Sequence, residues 1–390
     1  MLVRKASVNN FKDVLKLVKN TGCDEYACGL LAKKGLFHHI VIEKIDNCAA
    51  SILKQEAISC GADAAVNKNV SRFKKGFSNA AVFATSKQLE NLISKLSLQP
   101  FGLKEVSSQL KDLFSEKKVF RYKKSKIDLS KPSVMGIINL DPDSFSGDGI
   151  SDIDSAVRQA VLFEESGAAI IDLGAESSRP GSKPIDAKTE IKRLIPVLKK
   201  IKKKVKIPVS ADTYKFETSK AAIDEGVDII NDIFALRNGK DKLAKLIADS
   251  KAGLILMHMK GIPSNMQKSP SYKNCVSEVF EFLKERREYA LSFGINPEFI
   301  SVDPGAGFGK TVGHNLEIVK NMNVFSSLGC VTAGVSRKKF VRDVAGEDAG
   351  SFVTANILAA YCGADIIRVH DVAGTVKALE FVNALNDNHE

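Results

Sequence analysis

Along the last two thirds of the chain, hydrophobic positions gather into eight short and nearly continuous runs. They are SVMGIINL (133–140), AAIIDLGA (168–175), PVSADT (208–213), VDIINDI (227–233), AGLILMHM (252–259), FISVDPG (299–305), CVTAGVS (330–336) and DIIRVHD (365–371). Continuous Val/Ile/Leu character without polar alternation predicts strands covered on both faces, as in a parallel sheet. Amphipathic, charged segments lie between them, including 152–167, 188–204, 216–226 and 274–294. Three of these end in Gly, as helix C-termini do. Eight strands alternating with crossover helices over about 250 residues predict a (β/α)8 TIM barrel. A doubly wound open sheet is the alternative. It requires no eightfold regularity and usually carries a Gly-rich first turn, which is absent here.

Residues 1–120 have a different texture. Strand-like FHHIVIEKI and AAVFATSKQ alternate with helical LENLISKL, predicting a smaller α+β domain. The charged stretch EKKVFRYKKSKIDLSKPS (116–133) ends in Lys-Pro-Ser and reads as a connector. The expected division is an α+β extension over 1–125 and a catalytic barrel over 126–390.

Composition narrows the class. With 44% hydrophobic and 26% charged residues in 390, the chain can bury a large core, which excludes disorder and disulfide-dependent mini-folds. No run approaches the ~18 apolar residues of a membrane helix, and MLVRKASVNNFKDVLKLVKN lacks the apolar run of a signal peptide. The net charge of +11 is partly local, since Lys199, Lys200, Lys202, Lys203, Lys204 and Lys206 form one cluster. That cluster reads as a solvated helix end. With no Trp and 7% aromatic residues there is little to stack bases on, so no nucleic-acid partner is expected. Seven scattered cysteines without a CxxC pair indicate reduced thiols of a cytoplasmic protein and no zinc site.

The candidate chemistry lies at the C-terminal ends of the eight runs, where barrel enzymes build their sites. The first run ends in Asn139 and leads to Asp141, Asp143 and Ser144. The second leads to Glu176, Ser177, Ser178 and Arg179. The third ends in Asp212, the fourth carries Asn231 and Asp232, the fifth His258 and the sixth Asp303. The seventh runs into Ser336, Arg337, Lys338 and Lys339, and the eighth carries Arg368, His370 and Asp371. Asp232 and Asp371 read as helix or loop caps, and His258 as a structural histidine. Arg179, Lys338, Arg368 and His370 supply donors for an anion such as phosphate or pyrophosphate. Asp212, Asn231 and Asp303 supply acceptors and amides that a flat heterocycle with amino and ring N–H groups would satisfy. PGAGFGKT (304–311) is not a P-loop, because Pro304 stands where GxxxxGK[ST] needs Gly. Its glycines instead allow close approach of the backbone to a ligand.

These residues closely resemble dihydropteroate synthase. The resemblance rests on MGIINLDPDSFSGDG (135–149), IIDLGAESSRPGS (170–182), SADTYK (210–215), DIINDI (228–233), LILMHMKGIPSNMQ (254–267), DPGAGFGKTVGHN (303–315), AGVSRKKF (333–340) and IIRVHDV (366–372). It implies a folate-pathway transferase that joins a dihydropterin pyrophosphate to 4-aminobenzoate, giving 7,8-dihydropteroate and pyrophosphate. By position it implies that Asp212, Asn231, Asp303 and Lys338 hold the pterin and that Phe308 lines its pocket. Asn139 would bind the Mg²⁺ that accompanies pyrophosphate. Arg368 and His370, with Ser178, would face the pyrophosphate, and Arg179 and Pro180 the aminobenzoate. Segments 140–151 and 176–184 correspond to the family's two mobile loops, and a homodimer is implied. Asp141 stands where the family usually has Thr, and Ser178 likewise replaces a Thr. Lys339 replaces the Ser that follows the family's Ser-Arg-Lys. Lys339 would either pair with the aminobenzoate carboxylate or favour a more anionic arylamine. ILKQEAISCGADAAV (52–66) and KQLENLISKLSLQPFGL (87–103) resemble the N-terminal extension of long-form members of the family. The alternatives are a pterin-binding methyltransferase acting between a tetrahydrofolate and a corrinoid protein, and a non-catalytic pterin-binding protein. Neither needs Lys338, Arg368 and His370 together.

Overall fold

In the computed structural model, the described residues are Met1, Val3, Ala6, Val8, 10–114, 119–140, 152–179 and 181–387. The chain divides into two compact units, Met1–Glu116 and Lys117–Glu390.

In the first unit, β1 (Phe37–Asp46), β2 (Asp63–Val66) and β3 (Phe77–Thr85) form an antiparallel sheet in the order β1-β3-β2. Helices Asn47–Ser59, Ser86–Leu96 and Leu103–Leu113 contribute Leu53, Leu89, Leu92, Leu96 and Leu103 to its core, where they meet Ile40, Val82 and Ala84 of the strands. Helix Ser86–Leu96 starts where it does because Thr85 and Gln88 form a reciprocal capping box.

The second unit opens with an antiparallel hairpin, β4 (Val119–Tyr122) and β5 (Ser125–Asp128). From Val119 onward, the charged stretch that reads as a connector is therefore ordered structure. Its few apolar residues explain this. Phe120 is fully buried, and with Ile127 and Leu129 it packs on Met135, Ile170, Ile229, Ile255 and Ile366 of the barrel strands. Gly253 makes room, since a Cβ there would come 3.0 Å from the Phe120 ring. Lys123 Nζ reaches Asp228 Oδ1 at 3.0 Å on the rim.

Eight parallel strands then close into a barrel in chain order: β6 (Ser133–Asn139), β7 (Ile170–Gly174), β8 (Val209–Asp212), β9 (Ile229–Asp232), β10 (Gly253–Met257), β11 (Ile300–Asp303), β12 (Cys330–Ala333) and β13 (Ile366–Val369). β13 pairs with β6, so the sheet has no edge. The expected TIM barrel, with its eight runs in order, is the fold, and a smaller α+β unit precedes it. The seventh crossover is double, with Lys339–Ala345 before Ala349–Tyr361. The lysine cluster ends helix Ala187–Ile201, where Lys199, Lys200 and Lys202 pair with Glu225, Asp154 and Asp228. No helix among the described residues is long and apolar enough to cross a membrane.

Candidate active site

Barrel register sets four strand ends side by side: Asn139 opposite Gly174, Gly174 opposite Asp212, and Asp212 opposite Asn231. A Cβ on Gly174 would lie 3.7 Å from both Asn139 Oδ1 and Asp212 Oδ2, so the glycine keeps open a notch between two oxygens. From β13, which closes the sheet beside β6, Arg368 reaches across. Its Nε donates to Asp172 Oδ2 at 2.6 Å and its Nη2 to Asp212 Oδ2 at 2.8 Å. Asn231 Nδ2 donates to the same Asp172 oxygen at 3.2 Å.

Asp172 is the site residue that sequence reasoning missed. It is fully buried, and its Oδ1 has no hydrogen-bond partner among the described residues. The available signal was a lone carboxylate inside an apolar run, IIDLG, two positions before the notch glycine and hence on the same side of β7. A buried charge needs a partner, and here that partner lies 196 residues away in the chain.

Electrostatics follow from this crowding. Burial lifts the Asp212 carboxyl to about 7, with Arg368 opposing and Asp172 adding to the rise. Asp303 is likewise raised by burial, against the pull of the Gly305 N–H. Burial and the Arg368 guanidinium lower the Lys338 ammonium to about 8. Arg368 itself loses by burial, but the carboxylates of Asp172 and Asp212 more than offset this and hold it charged.

The Gly-rich loop after β11 is wrapped around a buried cation. Gly305 has a φ of +66°, and its N–H donates to Asp303 Oδ1 at 2.7 Å. Lys310, 2% exposed, donates from Nζ to Gly305 O at 2.9 Å and Phe308 O at 3.2 Å, and meets His258 Nδ1 at 2.9 Å. Burial lowers this ammonium to about 7 and, with Lys310 beside it, pushes the His258 imidazole well below its usual value. His258 is thus a structural histidine, as its place between two methionines suggests. Arg337 takes a φ of +56°, rare for a residue with a side chain, and the next residue places Lys338 Nζ 4.0 Å over the Phe308 ring.

The remaining candidates sort by position. His370 Nδ1 and the Ser336 hydroxyl share a hydrogen bond of 3.1 Å. Ser178 and Arg179 line the mouth. Lys339 also borders it, but its side chain is 77% exposed and paired with Asp343 at 2.7 Å, on the first turn of helix Lys339–Ala345. Asp232 accepts from the N–H groups of Phe234 and Leu236, and Asp371 from that of Gly374, so both are caps. Asp141, Asp143, Ser144 and Pro180 lie outside the described residues, as does nearly all of 140–151. The mouth encloses about 1040 Å³, bounded by Asn139, Asp212, Arg179, Lys338, Arg368 and His370 among others. It adjoins a recess of about 20 Å³ at Asn231 and Asp303, with which it shares Asp212, Phe308, Lys338 and Arg368. Most of the sequence candidates therefore converge on one cavity.

A closed parallel barrel whose mouth sets buried acceptors against cations defines a barrel enzyme that binds a polar ring carrying an anion. The pterin binding enzyme family matches residues 135–370. The chain is 38% identical over 262 residues to the dihydropteroate synthase of Haemophilus influenzae, covering 65% of this chain and 94% of that protein. It is 31% identical over 396 residues to the bifunctional dihydropteroate synthase/dihydropteroate reductase of Helicobacter pylori, covering 99% of this chain and 100% of that one. Among solved structures, the Xanthomonas albilineans dihydropteroate synthase with 4-aminobenzoic acid superposes with a TM-score of 0.64 at 35% identity, over 70% of this chain and 99% of that one. The chain belongs to the dihydropteroate synthase family of pterin binding enzymes, which are transferases of folate biosynthesis.

Proposed function

We propose that this mouth joins 6-hydroxymethyl-7,8-dihydropterin pyrophosphate to 4-aminobenzoate, giving 7,8-dihydropteroate and pyrophosphate. The observation that carries the residue roles is the Asp172–Arg368–Asp212 chain beside Asn231, which puts acceptors for a ring and a cation for its leaving group within one hydrogen-bonded set. Asp212, Asn231, Asp303 and Lys338 hold the pterin, over which Phe308 packs. Arg368, His370 and Ser178 face the pyrophosphate, and Arg179 faces the arylamine. The C–O bond between the pterin methylene and pyrophosphate breaks, and the arylamine nitrogen then attacks the cationic methylene carbon. The electron pair leaves with pyrophosphate, and the amine releases a proton. Arg368 meets the charge developing on the departing oxygens. Asp212 and Asp303 stand beside the ring, where their ionised forms offset the positive charge left on the pterin. No protein nucleophile is required.

Asn139, whose side-chain oxygen borders the Gly174 notch, would hold a hard divalent cation such as Mg²⁺. Bound there, Mg²⁺ neutralises charge on the leaving group. Exposed Leu358, Tyr361, Phe381 and Leu385, on the contacting helices Ala349–Tyr361 and Val372–Asp387, support a homodimer through that face. Seven free cysteines support a cytoplasmic setting.

Incubation of the purified chain with the pterin pyrophosphate, Mg²⁺ and 4-aminobenzoate should release pyrophosphate and form dihydropteroate by mass. Pterin binding without product would move the assignment to another amine. Asp212→Asn should weaken pterin binding, and unchanged affinity would remove Asp212 from that role. A second reading is that the chain also reduces dihydropteroate, with hydride from a reduced nicotinamide or flavin. It is favoured by the Helicobacter pylori likeness, which runs through the N-terminal unit. Formation of tetrahydropteroate with either donor would establish it, and its absence with both would remove it.

A further inference from the structure

The loop after β7, which carries Ser178 and Arg179, is tied at its base by one carboxylate. Glu176, at the start of the loop, accepts from the backbone N–H of Ile185, at its end, at 3.3 Å. The same carboxylate takes the Tyr214 hydroxyl at 2.8 Å on Oε1 and the Lys215 ammonium on Oε2. Lys215 also reaches Glu190 Oε2 at 2.9 Å, and that oxygen accepts from Thr218 at 2.8 Å. Lys215, Glu176 and Glu190 are nearly buried, at 11%, 9% and 1% side-chain exposure. Two carboxylates thus share one ammonium, and of the two it is Glu176 that accepts from the loop backbone, at Ile185. Tyr214 and Lys215 follow Asp212 by two and three residues, so the latch joins the pterin strand end to the loop bearing Arg179.

We infer that Glu176, locked by Lys215 and Tyr214, is a positioning residue that sets where Arg179 stands and so governs affinity for the arylamine rather than for the pterin. This rests on the assignment of Arg179 to the arylamine side. Glu176→Gln preserves shape but turns one acceptor into an NH₂ donor facing an ammonium, a hydroxyl or the loop N–H. It should raise the 4-aminobenzoate KM roughly ten-fold, equivalent to about 1.4 kcal/mol. The Kd for a pterin lacking pyrophosphate should stay within about two-fold. Glu190→Gln is the control for a merely structural role: it is in the same buried cluster but leaves the Glu176–Ile185 and Glu176–Lys215 contacts in place. Its amine KM should stay within about two-fold even where its Tm falls. Tyr214→Phe removes one contact to Glu176 and should move the amine KM in the same direction by a smaller factor, which keeps the test open if Glu176→Gln does not fold. An unchanged amine KM in both Glu176→Gln and Tyr214→Phe overturns the inference, as does an equal loss of pterin affinity or the same amine effect in Glu190→Gln. Arg179→Ala separates the two levels. If it leaves the amine KM unchanged, the assignment of the amine side fails and the inference with it. If it raises that KM while Glu176→Gln does not, only the inference fails.

Discussion

A single methyl group at Gly305 should disable the pterin half of the site. In Gly305→Ala the new Cβ would sit 1.9 Å from the carbonyl oxygen of His258, a backbone atom at the end of β10, and the residue would have to keep a φ of +66°. The left-handed conformation alone costs about 1–2 kcal/mol. Relieving the contact requires the loop to move by more than an ångström. That movement breaks the hydrogen bonds from Gly305 N to Asp303 Oδ1 at 2.7 Å and from Lys310 Nζ to Gly305 O at 2.9 Å. Both involve charged groups and are worth about 1.5–3 kcal/mol each. The sum is about 4–8 kcal/mol, shared between lost stability and local distortion around Asp303 and Phe308. Differential scanning calorimetry should show a fall in Tm on the order of 10 °C, and fluorescence titration should show pterin affinity down by at least ~100-fold. Gly313→Ala, where nothing but Thr311 Oγ1 at 3.9 Å meets the added atom, should be neutral or slightly stabilising. A Gly305→Ala protein that melts within about 2 °C of the parent and binds pterin normally would refute the packing argument.

Three further perturbations test other parts of the site. Asp172→Asn keeps the shape but takes a charge from the buried pair with Arg368, so it should cost about 3 kcal/mol; calorimetry showing an unchanged Tm would contradict the role of the pair. Binding of a pyrophosphate-free pterin should peak between pH about 7, below which Asp212 takes up its proton, and about 8, above which Lys338 loses one; a flat titration from pH 6 to 9 would refute it. Stability has its own sign: Asp212, raised above its ordinary 3.8, makes folding less favourable as pH climbs from about 4 to about 7, whereas Lys310, lowered to about 7, makes it more favourable from there to about 10.5. Lys339→Ser removes an exposed pair with Asp343 and should change stability by less than about 1 kcal/mol. If Lys339 meets the arylamine, this variant alters the amine KM alone, and a parallel loss of pterin affinity would refute that contact.

The sequence by itself determined the eight strands, their parallel character and the polar residues at their ends, because hydrophobic periodicity and helix punctuation are local properties of the chain. For Gly305 it pointed to close approach of the backbone to a ligand, whereas the structure sets protein backbone against it. The partner that fills the space is the backbone of His258, across a strand boundary and invisible in any motif. The tertiary structure alone decided which polar groups meet. Closing the sheet brings β13 beside β6 and lets Arg368 reach the interior carboxylate of Asp172, a residue that reads in sequence as an interruption of an apolar run. The fold of the loop after β11 against His258 buries Lys310, while the start of a helix turns Lys339 outward to Asp343, although both are lysines beside motif residues. Hairpin β4–β5 escaped the charge pattern because three apolar side chains, Phe120, Ile127 and Leu129, outweigh their charged neighbours once a barrel end is there to receive them. Local pattern specifies which way a residue faces; the register of distant strands specifies what it faces.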